Sequence, residues 1–220
     1  MLPIGDDNSQ RRLFPIVTWL LVVLNLFVFF LELSGGDEFI MMWSFIPARF
    51  MQDPAGNFIT LFTSMFMHAG WLHLGGNMLY LIIFGDNVED RFGHFKFLLF
   101  YIICGIFAML AQLVVAPSVT IPNLGASGAI AGVLGAYLVL FPKRRVRVLL
   151  GWWIVHLPTL IVIGGWILLQ LLSGFSTSGT VAGANGGVAY MAHIGGFFGG
   201  MILSFFFRNR VRPLPPNYLG

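Results

Sequence analysis

Charged residues are scarce in this chain: Asp, Glu, Lys and Arg make up 10% of its 220 residues, against about 25% in a soluble domain. Hydrophobic residues make up 57%. A water-soluble fold of this size cannot hide so much apolar surface, so the solvent for most of the chain is lipid. Cysteine is nearly lacking too. Cys104 stands alone inside an apolar run, which excludes an intramolecular disulfide. There is no metal-ligand motif and no repeat at a fixed period. The net charge of +3 lacks the aromatic or motif support that a nucleic-acid surface needs. No cofactor, no metal and no nucleic acid is expected.

What is present is a series of apolar runs, each long enough to compare with the about 20 residues that cross a bilayer. Windows of that size give spans at Phe14–Leu33, Trp71–Gly85, Phe95–Val115, Ser127–Phe141, Leu149–Leu172 and Val188–Phe207. Their apolar residues run unbroken rather than alternating, so the expected fold is all-α, a polytopic six-helix transmembrane bundle. The second and fourth spans are short, as spans that line a cavity often are. Arg11 and Arg12 before the first run also open a secretory signal peptide, but the run is too long and has no small-residue cleavage site before Glu32. It is read as an uncleaved span.

Charge placement orients the bundle. With six spans, eleven of the twelve Lys and Arg residues fall on one side, including Arg91, Lys143, Arg144, Arg145 and Arg147, and Arg49 falls alone on the other. By the positive-inside rule both termini are cytoplasmic. The expected organisation is a short cytoplasmic tail (1–13), a six-span membrane domain (14–207) and a second cytoplasmic tail (208–220), in a bacterial inner membrane. The outer connection from Ser34 to Gly70 is unusually apolar and is expected to lie in the membrane interface. The connection from Ser173 to Gly187 is rich in Gly, Ser, Thr and Ala, and reads equally as a mobile lid or a slack linker.

Polar side chains inside spans are costly and face a bundle interior or a wet cavity. His68, His73 and Asn77 around span two, Ser127 at the head of span four and His193 near the head of span six share one depth in the outer half. Ser127 sits in Gly125-Ala126-Ser127-Gly128. Flanking glycines admit a substrate carbonyl, and the amides of a helix start favour an oxyanion. The same four residues also describe an ordinary N-cap. His193 is followed by Gly195, Gly196, Gly199 and Gly200, small residues that let a helix pack closely on the small face of span four. A lone buried histidine is more often a satisfied interior group than a base; paired with Ser127 at matching depth, the two readings are even. His73 and Asn77, four apart, share a helical face from which both can donate to an oxyanion. His68 lies off that stripe and is expected to tie the outer loop to the bundle; all three also suit interhelical hydrogen bonding. Spans two to six hold no carboxylate except Asp86 at the inner edge, which argues against an aspartyl pair, and there is no His-Glu-x-x-His for a zinc protease.

Taken together, His68-x4-His73-x3-Asn77, Gly125-Ala126-Ser127-Gly128 and Ala192-His193-x2-Gly196, on spans two, four and six, resemble the rhomboid family of intramembrane serine proteases. The resemblance covers nearly the whole chain. It implies a dyad of Ser127 and His193. It also implies an oxyanion hole of His73, Asn77 and the Ser127 amide, with His68 nearby. The substrates it implies are single-span membrane proteins with helix-destabilising residues near the outer face. Two positions depart from the family pattern: Ile59-Thr60 stands where many members have Trp-Arg, and Ala131 where many have an aromatic that stacks on the histidine. The expected activity is acyl transfer to water. The rival readings are a non-catalytic relative that binds or escorts transmembrane helices, and a proton-relaying transporter, for which the dry inner half offers no path. Oligomeric state is not legible.

Overall fold

Long apolar runs form the frame of the molecule, because in lipid a helix satisfies its own backbone. The computed structural model describes residues 1–177 and 189–208. In chain order the elements are β1 (Leu2–Gly5), α1 (Ile16–Trp43), α2 (Pro47–Gln52), α3 (Pro54–Asn57), α4 (Thr60–Thr63), a 3-10 turn (Ser64–Phe66), α5 (Trp71–Phe92), α6 (His94–Val115), α7 (Ser127–Leu140), β2 (Arg145–Leu150), β3 (Trp153–Pro158), α8 (Thr159–Thr177) and α9 (Tyr190–Phe207). Among the described residues, four helices (α1, α6, α8 and α9) are long and apolar enough to cross a membrane. α5 matches them in length but carries Asp86, Glu89, Asp90 and Arg91 near its end.

The 14-residue α7 is the hub. Every residue from Gly128 to Tyr137 is buried, as a helix apolar on all sides should be. It packs most extensively on α9, then on α6 and α5. Small residues bring these backbones together. A methyl group added to Gly196 would meet the Gly128 carbonyl, one on Gly200 the Gly132 carbonyl, and one on Gly128 the side chain of Ala108 in α6.

The chain is mostly helical, but the all-α expectation is corrected. Leu149–Pro158, read as the start of a fifth span, completes a hairpin. β2 pairs antiparallel with β3 through Val146↔Leu157, Val148↔Val155 and Leu150↔Trp153. β1 joins the other edge of β2 through Leu2↔Leu149 and Gly5↔Arg147, giving the order β1-β2-β3. Residues 1–13 therefore contribute a strand. The cause is local: Arg145-Val146-Arg147-Val148 alternates charged and β-branched residues with period two, which a span-sized window averages away. Gly151, at φ 60, makes the turn. The first helix also runs past Leu33 to Trp43, interrupted where Gly36 adopts φ 58 and ψ −151.

Polar contacts fasten both ends of the bundle. The outer connection, which lacks the Trp-Arg pair, is held by backbone and side-chain bonds: Asn123 N–H donates to the Phe45 carbonyl at 2.7 Å and Ala48 N–H to Val119 at 3.0 Å. Thr63 Oγ1 donates to the Trp43 carbonyl at 2.6 Å and Arg49 to Ser44 at 2.7 Å. At the opposite end α1 begins after Pro15 with no capping side chain of its own. Glu89 of α5, fully buried, accepts from the amides of Val17 at 2.9 Å and Thr18 at 2.8 Å and from Thr18 Oγ1 at 2.7 Å. A carboxylate there satisfies orphan amides at the positive end of the helix.

Candidate active site

The chain enters α7 through Gly125, at φ 134, a conformation that L side chains rarely adopt. Its N–H donates to the Ser64 carbonyl at 2.9 Å. A Cβ at this position would lie 2.9 Å from Cε1 and 3.0 Å from Nε2 of His73, and 3.5 Å from Ser127 Oγ. Glycine thus keeps open a gap that His73 and Ser127 both border.

Ser127 does not cap its own helix. The residue before the first turn is Ala126, and it makes no side-chain capping bond. The serine hydroxyl meets His193 Nε2 at 2.7 Å. The glycine faces make this possible: Gly128, beside the serine, touches Gly196, three residues past the histidine, so no side chain separates α7 from α9 at this level.

His193 is held from behind by two residues that sequence reasoning missed. Its Nδ1 lies 2.8 Å from Gln170 Oε1, and Trp166 packs on the ring with centroids 5.8 Å apart at 35°. An amide oxygen accepts, so Nδ1 carries the proton and the Nε2 lone pair faces the serine O–H. Trp166 also answers the departure at Ala131, which is fully buried: the stacking aromatic comes from α8 instead of α7. The signal was present in the sequence. Gln170 is an amide inside an apolar run, and it stands four residues after the indole, on the same helical face.

α5 and the segment just before it bring the remaining candidates together. Asn77 Nδ2 donates to His68 Nε2 at 3.0 Å, and the His68 and His73 rings meet edge to face with centroids 5.2 Å apart. His68 is buried, and its backbone N–H donates at 2.8 Å to Oε2 of Glu32, from α1. That bond joins the segment before α5 to α1. Glu32, a buried carboxylate at the edge of the first span window, is a third residue that sequence reasoning missed. The first part of the Ser173–Gly187 connection is the end of α8; residues 178–187, and with them the lid reading, lie outside the described residues.

The family model described as Rhomboid domain matches residues 55–210, a stretch that holds the serine, the histidines and the amides of the site. The chain belongs to the rhomboid family. Rhomboid protease GluP of Bacillus subtilis is 33% identical over 190 residues, 84% of this chain and 34% of that protein. YdcA of the same bacterium, whose name also carries the word rhomboid, is 29% identical over 207 residues, covering 92% of this chain and 94% of its own. Rhomboid protein 1, mitochondrial, of Saccharomyces cerevisiae is 29% identical over 175 residues, 77% of this chain and 48% of that one. The chain spans about a third of GluP and nearly all of YdcA. As a rhomboid family member with long apolar helices, it is an integral membrane protein.

Proposed function

We propose that this chain is an intramembrane serine endopeptidase that cleaves single-span membrane proteins near the outer face of a bacterial inner membrane. In this reading α1, α5, α6, α7, α8 and α9 are six spans and both termini are cytoplasmic. The observation that carries it is the 2.7 Å approach of Ser127 Oγ to His193 Nε2, with Nδ1 engaged by Gln170. α7 is about 21 Å long at 1.5 Å per residue, about 10 Å short of the hydrocarbon thickness. Enclosed by other helices, it need not reach lipid on the outer side, so Ser127 stands in a recess that water can enter.

The chemistry follows from the groups. His193 Nε2 takes the proton as Ser127 Oγ adds to the peptide carbonyl. The Ser127 amide at the helix start, His73 and the second N–H of the Asn77 amide donate to the resulting oxyanion. Protonated His193 returns the proton to the departing amine nitrogen, and the acyl-enzyme is hydrolysed by a water that His193 deprotonates in turn. Gly125 and Gly128 keep the approach open, and His68 orients Asn77. The test is cleavage of a panel of single-span proteins beside labelling by a fluorophosphonate. Both should depend on Ser127 and His193. Cleavage at full rate by Ser127→Ala would refute the nucleophile, and failure of parent and variant alike to label or cut favours a helix-binding relative.

A further inference from the structure

The β2–β3 hairpin ends in a tip that the proposed chemistry does not use. Trp152 is 97% exposed, Trp153 76%, Ile154 61% and Leu150 49%. The pleat of the sheet shows where this tip points. Along β2, Val146 and Val148 share a face, and both are completely buried in the main core against the helix ends. Side chains two apart in a strand lie on one face, so Leu150 and its partner Trp153 continue that face beyond the edge of the bundle. The sheet therefore lies flat across the helix ends, and its tip overhangs them. A cavity of about 410 Å³ beside the sheet is lined by Asp6 and Arg147, by Phe14 just before α1 and Trp19 within it, and by Ile82 and Asp86 of α5. Phe14 and Trp19 are themselves exposed, on the apolar girdle of the helices.

We propose that the Leu150–Ile154 tip is an interfacial anchor, seated in the headgroup region of the leaflet that borders the sheet. Indole rings favour the headgroup level, where an apolar ring and a polar N–H are both satisfied. The inference is independent of the chemistry at Ser127.

The test places an environment-sensitive fluorophore on Trp152→Cys in the full chain, reconstituted into nanodiscs of phosphatidylcholine. The unaltered protein, whose Cys104 is buried, serves as the labelling blank. The dye should be shielded from aqueous iodide and quenched by a lipid carrying a nitroxide near its headgroup. Adding Trp153→Ser should restore iodide access. Iodide access equal to that of the free dye overturns the proposal. So does shielding that grows with protein concentration, because it marks contact between copies of the chain.

Discussion

Ser127, His193 and Gln170 form a line of three polar groups drawn from α7, α9 and α8. A carboxylate is the usual third partner in such a line, yet a glutamine suits this one. An unpaired charge in a low-dielectric interior is costly, whereas an amide oxygen accepts the Nδ1 proton without bringing charge into the bundle. Gln170→Leu should lower kcat about 10- to 100-fold, the scale seen when an orienting partner of a histidine is lost. KM should change little, fluorophosphonate labelling should slow in parallel, and Gln170→Glu should restore part of the rate. An unchanged kcat removes Gln170 from the machinery.

The opposite end has its own residue-scale prediction. Asp6 accepts from Tyr137 Oη at 2.6 Å and from Asn87 Nδ2 at 2.9 Å. Burial pushes its carboxyl from the ordinary 3.8 up to about 6, against the Tyr137 hydrogen bond. A carboxyl raised in this way stabilises the fold while protonated. Its contribution is whole below about pH 4 and is lost as pH climbs through about 6. Asp6→Asn still accepts from Tyr137 but cannot ionise. Its Tm should therefore gain on that of the parent between about pH 4 and pH 7; a gap constant with pH counts against the assignment.

At the scale of elements, the α7–α9 contact is what turns two residues 66 positions apart into a hydrogen-bonded pair. Because glycine backbones touch there, even one methyl group has no room. Gly200→Val, seven residues before the end of α9, would press on the Gly132 carbonyl and open the contact. Overpacking of this kind costs about 1–3 kcal/mol. A fall in Tm should come with loss of cleavage, although the substitution is two turns from His193. Gly164→Ala in α8, where an added methyl meets ordinary packing at 3.8 Å, should leave both unchanged. Equal activity of the two variants would show that close helix approach is not what aligns the pair.

For the whole molecule, the acids of α5 tie the amino-terminal segment to the bundle end. Asp86 pairs with Arg11 at 2.5 Å, and Asp90 accepts from the amides of Arg12 at 2.8 Å and Leu13 at 2.7 Å. This end also carries Arg144, Arg145 and Arg147. In the proposed orientation, which follows the positive-inside rule, it faces the cytoplasm, with the dyad near the other surface. A fluorescent reporter fused at either terminus should then mature inside the cell, while one inserted between Gln52 and Asn57 should remain dark. The reverse pattern would invert the proposed orientation and place the site on the inner side.

The sequence by itself determined the solvent, the helical frame and the chemistry-bearing residues, because each rests on local composition. Twenty apolar residues in a row admit few alternatives, and a serine between glycines or a histidine in an apolar run stands out against its neighbours. Tertiary structure alone decided which groups meet. Gln170 and Trp166 became visible as the partners of His193 only when α8 was laid beside α9. The strands at Leu2–Gly5 and Arg145–Pro158 became visible only when β1 and β3 supplied the hydrogen bonds that a six-residue β2 lacks alone. Pairing across long sequence separation depends on packing, and packing is decided by the whole set of surfaces at once.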